Sequence, residues 1–278
     1  MIGFNALGYL GRLGNQMFQY AALKGIAKNK GYQYCLPPVA SENEWSSVEE
    51  YYQEINERKA GHILFHPFTM EGSNQLNLQF LDSTRPVLNE KTFAFDEALF
   101  NTCPDWVDIR GFFQTEKYFK HIKDDIKKDF TFKDSILEPC KGMMDDFNEP
   151  PLSLHVRRTD YITDSNHTAL GIDYYEKALA EFPMEVPVLV FSDDPNWCNE
   201  QSFLDDDRFL IAEGNSGYID MCLMTLCSGH IIANSSFSWW GAWLSNSKHV
   251  IAPSQWFTGS DNDSKDTKDI YCEGWKVI

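Results

Sequence analysis

Positive charge is scarce in this chain. It has 24 lysine and arginine residues against 41 aspartate and glutamate residues, which gives a formal net charge of −17 at pH 7. Binding of an extended polyanion needs a broad basic surface, so the composition argues against nucleic acid or an anionic membrane as a general partner. A phosphate group can still be bound, but only by a few cations or backbone N–H groups that are gathered at one place.

Long apolar runs, a signal-peptide pattern and C-x-x-C pairs are also missing from the sequence. The sequence contains no run of eighteen apolar residues, which a membrane-spanning helix would need. It also shows no basic segment followed by an apolar one, which is the pattern of a signal peptide. The seven cysteines are odd in number and include no C-x-x-C pair. We therefore expect a reduced, cytoplasmic protein. Peripheral contact with a membrane and the oligomeric state are left open by the sequence.

The sequence does not predict a metal site either. Cys222, Cys227 and His230 are close in sequence, but on a helix five residues turn the chain by about 500°, which places the two thiols about 140° apart. Zinc requires ligands that converge. The D-x-D spacing of metal-dependent sugar transferases occurs only at 205–207 and 261–263, in polar surroundings typical of solvated loops. We expect that no metal is required.

The composition predicts a folded chain with one or two cores. Its apolar content of 43% and aromatic content of 14% are too high for a disordered protein. A chain of 278 residues forms one large domain or two domains of about 140 residues each. Because Pro150-Pro151 is a rigid break, we predict a first domain over 1–150 and a second over 151–278. The last residues of the second can pack back on the first.

The second half predicts a regular alternation of strands and helices. Strands are predicted at 152–156, 186–191, 208–212, 230–233 and 249–252. Helices are predicted at 173–182, 218–227 and 237–244. Apolar strands that alternate with helices are typical of a parallel α/β sheet.

The first half is less regular. A helix is predicted over 15–30, with Asn15 as its N-cap and Gly31 directly after its last turn. Further predictions are a charged segment with a helical end at 41–58, short strands at 62–68 and 111–113, and polar helix between 118 and 147. Two Rossmann-like domains that face each other across a cleft suit this length, and the second half supports this α/β class more clearly.

Two adjacent arginines follow the first predicted strand of the second half, in the segment His155-Val-Arg157-Arg158-Thr-Asp160. Ligands of parallel α/β sheets bind beyond the carboxyl ends of the strands, so these residues are candidates for a site. A guanidinium group binds two phosphate oxygens at once and keeps its charge at physiological pH. The pair therefore predicts a phosphate site. The alternative is a structural ion pair with Asp160 or another nearby acid.

Two carboxylates, Asp193 and Asp194, follow the next predicted strand. They could accept hydrogen bonds from the hydroxyl groups of a ribose, or they could hold the neighbouring arginines in place. Because Pro195 comes directly after them, a helix cap is the alternative for one of the two.

The third strand leads into the segment Asn234-Ser-Ser-Phe237 and then into a helix. The N–H groups at a helix N-terminus bind phosphate, although serine also caps helices that bind nothing. Asp220, in the first turn of the preceding helix, could accept two N–H bonds from the edge of a guanine, or it could simply favour the helix dipole. The tryptophans of the following helix are predicted to be core residues and not sugar platforms: Trp239, Trp240 and Trp243.

A glycine loop precedes the first predicted helix, in the segment Gly11-Arg12-Leu-Gly14-Asn15-Gln16. Two glycines three residues apart before a helix allow the backbone to approach a ligand closely. By itself such a loop indicates only a turn.

Four motifs together resemble, in order and spacing, the α-1,2-fucosyltransferases of glycosyltransferase family 11. They are the glycine loop continued to Ala21, the segments 155–160 and 191–194, and Asn234-Ser-Ser-Phe-Ser-Trp-Trp-Gly241. The resemblance spans about residue 8 to residue 257. It implies a GT-B-type fold, GDP-fucose as donor, inversion at the anomeric carbon, a terminal β-galactoside as acceptor, and no metal or other cofactor.

The resemblance also implies roles for individual residues. Arg157 would contact the β-phosphate of the donor, with Arg158 beside it as a structural residue, and His155 and Asp220 would hold the guanosine. The remaining donor-binding candidates, which would lie near the ribose or offer donors to the pyrophosphate, are Asp193, Asp194, Asn234, Ser235, Ser236 and Phe237. The candidates on the acceptor side of the cleft are Gly11, Arg12, Gly14, Asn15 and Gln16.

The sequence leaves the proton acceptor for the acceptor hydroxyl open among Asp160, Asp164 and His155. We rank Asp160 first, although it could equally be the salt-bridge partner of Arg158. Two other functions also stay open. One is a fucosyltransferase of other linkage, of the α-1,6 or protein O-linked type, and the other is a non-catalytic protein that binds a nucleotide sugar or a glycan.

Overall fold

The computed structural model describes residues 1–39, 62–73, 81–245, 247–258 and 265–278. The chain divides into two compact units. Unit 1 comprises Met1–Lys133 and Asp266–Ile270, and unit 2 comprises Asp134–Lys265 and Tyr271–Ile278. The predicted helical end of 41–58 and the acidic segment 261–263 lie outside the described residues.

Unit 1 contains a parallel sheet of four strands in the order β2-β1-β4-β3 among its described residues. The strands are β1 (Ile2–Gly3), β2 (Tyr34–Cys35), β3 (Val87–Asn89) and β4 (Asp108–Arg110). The helices that accompany them are α1 (Leu13–Lys30), α2 (Glu97–Thr102) and α3 (Lys123–Asp129).

Helix α1 is the main element of unit 1 and is buried along almost its whole length. It ends as predicted at Gly31, whose φ of 68° lies in the left-handed region that favours glycine. The predicted N-cap at Asn15 is wrong, because the helix already begins at Leu13 with Arg12 in the capping position and no side-chain cap. The side chain of Asn15 instead accepts a hydrogen bond from Gln114.

Two strand predictions in the first half are wrong. Residues 62–68 form a turn with a single bridge at each end, from Val39 to His62 and from Phe68 to Phe132. The strand predicted at 111–113 lies earlier, at β4. Phe113 has a φ of 53°, and its N–H group donates to the half-buried carboxylate of Glu90, which ends the strand. The predicted helices between 118 and 147 are confirmed by α3 and by α4 of unit 2.

Unit 2 contains a parallel sheet of six strands in the order β10-β9-β8-β5-β6-β7. The strands are β5 (Leu152–Val156), β6 (Val188–Ser192), β7 (Phe209–Ile211), β8 (Gly229–Ile231), β9 (Val250–Ala252) and β10 (Lys276–Val277). The helices are α4 (Asp134–Met144), α5 (Ile172–Leu179), α6 (Pro195–Asn199), α7 (Gly217–Leu226) and α8 (Ser236–Ser245).

The alternation predicted for the second half is confirmed. All five predicted strands and all three predicted helices are present, with bounds that differ by no more than three residues. The central strand β5 is buried at every position, including Ser153 and His155, as expected for a central strand of a parallel sheet. The tryptophans of α8 are 0%, 0% and 4% exposed, which confirms them as core residues: Trp239, Trp240 and Trp243.

The boundary between the units differs from the predicted one at Pro150-Pro151. Unit 2 begins at Asp134, because α4 packs against α7 of unit 2 and buries Cys140 there. The two prolines therefore precede β5 without dividing the chain. Near the C-terminus, residues 266–270 belong to unit 1, whereas β10 completes the sheet of unit 2.

Candidate active site

Arg157 follows β5 directly and is held between two carboxylates. Its Nη1 lies 3.0 Å from Oδ2 of Asp193, and its Nη2 lies 2.5 Å from Oδ1 of Asp160. The side chain is 15% exposed. The guanidinium is thus fixed in a defined orientation at the carboxyl end of the sheet, where parallel α/β folds bind their ligands.

Asp193 organises the loop after β5. Because β5 and β6 pair with Val156 opposite Ser192, the segments that follow the two strands are neighbours. Asp193 accepts hydrogen bonds from the backbone N–H of Arg158 at 2.9 Å and from the hydroxyl of Thr159. Burial acts to raise the pKa of Asp193, but the Arg157 charge and these hydrogen bonds outweigh burial and lower it. Asp193 is therefore an anion that positions Arg157.

Asp194 caps a helix and contacts the second arginine. Its Oδ1 accepts from the N–H of Trp197 at 3.2 Å, which caps α6, and its Oδ2 lies 3.4 Å from Nε of Arg158. The guanidinium carbon of Arg158 lies 3.9 Å from the ring centroid of Trp197. Asp160, which we considered as a partner of Arg158, pairs with Arg157 instead.

His155 is enclosed at the base of the same site. Its Nδ1 lies 2.8 Å from the hydroxyl of Ser238, and its ring centroid lies 5.7 Å from that of Phe237. Burial, with the nearby Arg157 charge, lowers the pKa of His155 to about 3. The imidazole is therefore neutral at physiological pH and a weak proton acceptor.

Asp220 lies in the first turn of α7, beyond its cap Ser216. Its Oδ1 accepts a hydrogen bond from Asn215 at 3.0 Å, and burial raises the pKa of Asp220 to about 6. A Cβ at Gly217 would lie 3.8 Å from the ring of Phe237. Since that ring also contacts His155, Phe237 links β5 to the N-terminal turn of α7.

The start of α8 uses part of its hydrogen-bonding capacity internally. The hydroxyl of Ser235 accepts from the N–H of Phe237 at 3.3 Å, and Ser236 opens the helix. Asn234 is buried and ties two loops together, because its amide donates to the carbonyls of Thr168 and Trp256 at 3.1 Å.

The glycine loop and its candidates lie in unit 1. Gly11 has a φ of 86°, and a Cβ there would lie 2.1 Å from the side-chain amide of Asn15. Gln16 is fully buried: its Oε1 accepts from the N–H of Ile63 at 2.9 Å, and its amide donates to the carbonyl of Gly11 at 3.3 Å. Gly14 lies within the first turn of α1, after Arg12 at the capping position. Gln16 therefore holds the shape of the loop.

Sequence reasoning missed the aromatic residues around the arginines. The ring centroid of Tyr161 lies 5.3 Å from the guanidinium carbon of Arg157, and the Tyr161 hydroxyl donates to the carbonyl of Asn234 at 3.2 Å. The ring of Trp197 likewise stacks on the guanidinium of Arg158. The contact of Arg157 with Tyr161 had one sequence signal, their separation by four residues. In a loop that spacing does not predict a contact.

The residues considered for a metal site lie apart in the structure. Cys222 is in hydrogen-bond contact with Cys140, the thiol of Cys227 lies 3.4 Å from the carbonyl of Leu223, and Nε2 of His230 lies 2.8 Å from the hydroxyl of Ser245. Within the described ranges, no three side chains of His, Cys, Asp or Glu are grouped closely enough to hold a metal ion.

Within those same ranges, no helix combines the length and the apolar character needed to cross a bilayer.

Comparison with known proteins identifies the family. The sequence model described as Glycosyl transferase family 11 matches residues 95–278. The O-antigen biosynthesis glycosyltransferase WbnK of Escherichia coli is 32% identical, over 94% of this chain and 97% of the relative. An α-1,2-colitosyltransferase of Escherichia coli is 33% identical, over 92% of this chain and 93% of the relative. Galactoside α-(1,2)-fucosyltransferase 2 of Oryctolagus cuniculus is 24% identical, over 89% and 69%.

Solved structures confirm the fold. The α-1,6-fucosyltransferase NodZ soaked with GDP-fucose matches with a TM-score of 0.52 at 13% identity, over 91% of this chain and 94% of that one. POFUT1 in complex with GDP-fucose matches with a TM-score of 0.50 at 12% identity, over 88% and 94%. The α/β fold of the GT-B type expected from the motifs is therefore confirmed. With both the family model and two close relatives in agreement, the chain belongs to glycosyltransferase family 11.

Proposed function

We propose that this chain transfers fucose, with inversion, from GDP-fucose to the 2-hydroxyl of a terminal β-galactoside. Relatives of this chain are named for α-1,2 transfer, and its structural neighbours were solved with GDP-fucose. The observation that carries the proposal is the fixed guanidinium of Arg157 at the carboxyl end of the unit 2 sheet.

The role of Arg157 follows from where charge develops. Inverting transfer is a single displacement in which the acceptor oxygen bonds to the anomeric carbon as the bond to the β-phosphate oxygen breaks. Negative charge grows on the departing GDP, so a cation fixed there stabilises the transition state more than the bound substrate. Asp193 and Asp160 fix the orientation of Arg157, because they bind the two ends of its guanidinium.

The guanosine would lie around Phe237, where three elements of unit 2 meet. His155 and Asp220 border this place from β5 and α7. A carboxylate can accept both N–H groups on the edge of guanine, and the neutral His155 can hydrogen-bond without adding charge. The start of α8, at Ser235 and Ser236, would direct N–H groups at the pyrophosphate.

The glycine loop of unit 1 is proposed to contact the sugar and the acceptor. Gly11 allows the backbone close to a ligand, and Asn15 and Arg12 carry side chains near the start of α1. Gln16 would contribute by shaping this loop, since both of its side-chain groups bond to the backbone.

A second donor is favoured by one specific observation, the 33% identity to an α-1,2-colitosyltransferase. Colitose lacks the 3-hydroxyl of fucose, so a site for either sugar can share the same phosphate and guanosine contacts. Comparing kcat/KM for GDP-fucose and GDP-colitose separates the two donors.

The proposal is tested by incubating the protein with GDP-fucose and a panel of β-galactosides and measuring GDP release. We expect release that depends on one class of galactoside. Stabilisation by GDP without release from any donor would instead support a non-catalytic binding protein. Release with an α-1,6 or protein acceptor would support the other fucosyltransferase types.

A further inference from the structure

The loop after β5 contains an imidazole that is paired with a carboxylate. Nδ1 of His167 lies 2.6 Å from Oδ2 of Asp164. The other oxygen of Asp164 accepts from the backbone N–H of Asn166 at 2.8 Å and from its side-chain amide at 3.2 Å. The bond from the backbone N–H, followed by that from His167, lowers the pKa of Asp164. Asp164 is therefore an oriented anion.

This pairing determines which nitrogen of His167 can take a proton. An ionised carboxylate can only accept, so Nδ1 of His167 carries the hydrogen, and the lone pair is on Nε2. The ring is also held by stacking on Tyr161, at 4.5 Å between centroids, and by contact with Phe257 at 5.3 Å. With 28% of the side chain exposed, His167 is oriented and still accessible.

His167 and Arg157 share an aromatic neighbour. The ring of His167 and the guanidinium of Arg157 both contact the ring of Tyr161. Inverting transfer places the attacking hydroxyl and the leaving phosphate on opposite sides of one anomeric carbon, so it needs a base and a phosphate-binding group beside the same sugar. The ring of Tyr161 contacts one side chain of each kind.

The other candidates for the base fit less well. Asp160 is engaged by the Arg157 guanidinium, so its Oδ1 already accepts a hydrogen bond. His155 is 5% exposed, and its Nδ1 is directed at Ser238.

We propose that His167, positioned by Asp164, is the general base of the transfer reaction, an inference that rests on the proposed function. Nε2 of His167 takes the proton of the acceptor hydroxyl while that oxygen bonds to the anomeric carbon. The bond from the anomeric carbon to the β-phosphate oxygen breaks, and its electron pair leaves with GDP. The imidazolium then releases the proton to water. Asp164 is a positioning residue, because it acts through His167.

The test compares H167Q and D164N with the wild type across pH, using the GDP-sugar and the β-galactoside that the wild type accepts. We expect kcat of H167Q to fall by about 100-fold or more, with KM for the donor unchanged. The acidic limb of the wild-type kcat profile should disappear in H167Q. In D164N kcat should fall with KM for the donor unchanged, and the limb should remain, because the imidazole is still present but no longer oriented by the carboxylate.

Among the residues that the structure describes, the charged and titratable groups that contact His167 or its ring neighbours are Asp164, Tyr161 and Arg157 on its own loop, and Lys265, which lies 4.2 Å from the ring of Phe257. The permanent charge of Arg157 cannot produce the acidic limb. A K265Q variant that retains the limb assigns it to His167.

H249Q is the matched control, because His249 is an exposed imidazole of unit 2 before β9, and it should keep the wild-type profile. Thermal unfolding checks that H167Q and D164N are folded. Wild-type kcat in both variants, with the limb retained in H167Q, would overturn the assignment of the base alone. A wild type that releases GDP from no donor would overturn the proposed function and this inference with it.

Discussion

At the scale of single residues, Arg157 combines a permanent charge with a fixed orientation. Asp160 and Asp193 each bind one end of its guanidinium. R157A should lower kcat by roughly 100- to 1,000-fold, as loss of one preorganised donor does. R157K should be nearly as damaging, since lysine has a point charge and cannot contact two oxygens in one plane.

Turnover at saturating GDP-fucose measures this loss. R208K is a matched control, since it makes the same change outside the site, at a side chain that bonds to the carbonyl of Met184. Near-wild-type kcat in R157K would show that contact with two phosphate oxygens at once is not required.

Asp220 gives a prediction about pH. Its pKa is raised by burial to about 6, so the carboxylate that would accept from guanine becomes protonated as the pH falls below that value. KM for the donor should therefore rise below about pH 6. D220N should raise KM by roughly 10- to 100-fold, the effect of losing hydrogen bonds to a charged group, and should remove this pH dependence.

Donor titrations between pH 5 and 8 check the role of Asp220. A KM that is independent of pH in the wild type, together with wild-type affinity in D220N, would place the guanine elsewhere.

At the scale of structural elements, the loop before α1 depends on Gly11. A side chain at its φ of 86° is strained, and a Cβ would overlap the amide of Asn15. G11A should therefore lower the free energy of unfolding by about 1–3 kcal/mol. Gly142 in α4 has nothing within 4 Å of its Cβ position, so G142A should raise stability by about 0.5–1 kcal/mol.

Urea unfolding of the two alanine variants measures both changes. Equal stability of G11A and the wild type would contradict the strained loop.

The strands and helices also differ in how well they could be predicted from the sequence. The strands and helices of unit 2 could be predicted because β5 and its neighbours are short, mostly apolar segments between helical patterns, and burial on both faces leaves few alternatives. The strand predicted at 62–68 failed because a short apolar run does not distinguish a strand from a buried turn. The predicted N-cap at Asn15 was wrong because the side chain of Asn15 accepts a tertiary hydrogen bond from Gln114 instead of capping the helix.

The candidate site could be predicted in part, for a similar reason. Its residues follow strand ends, so topology brings together Arg157 and Asp193. The partner of Asp160 could not be chosen, because Arg157 and Arg158 lie three and two residues before it, and neither spacing selects a partner in a loop. Tyr161, His167 and Trp197 could not be identified, since their contacts are made by loops, where sequence spacing does not predict which side chains meet.

At the scale of the whole molecule, a chain of net charge −17 is proposed to bind a pyrophosphate. The positive charge is gathered locally: Arg157 pairs with Asp160 and Asp193, and Arg158 pairs with Asp194. The arginines are therefore oriented before any ligand binds. The surplus acid elsewhere is expected to disfavour extended polyanions while leaving a single pyrophosphate accessible.

Because Arg157 and the start of α8 are proposed to compensate the charge on GDP, activity should not need a divalent cation. Fucosyl transfer measured with and without excess EDTA should give the same rate within about two-fold. Abolished activity that returns with added Mg²⁺ or Mn²⁺ would contradict the metal-independent reaction.

The most direct test of the whole account is the linkage of the product formed from GDP-fucose and a terminal β-galactoside. The account predicts stoichiometric GDP release and a product in which NMR shows fucose α-linked to the 2-hydroxyl of galactose. A fucosylated product of any other linkage would contradict it, as would the absence of transfer by a folded, GDP-binding protein.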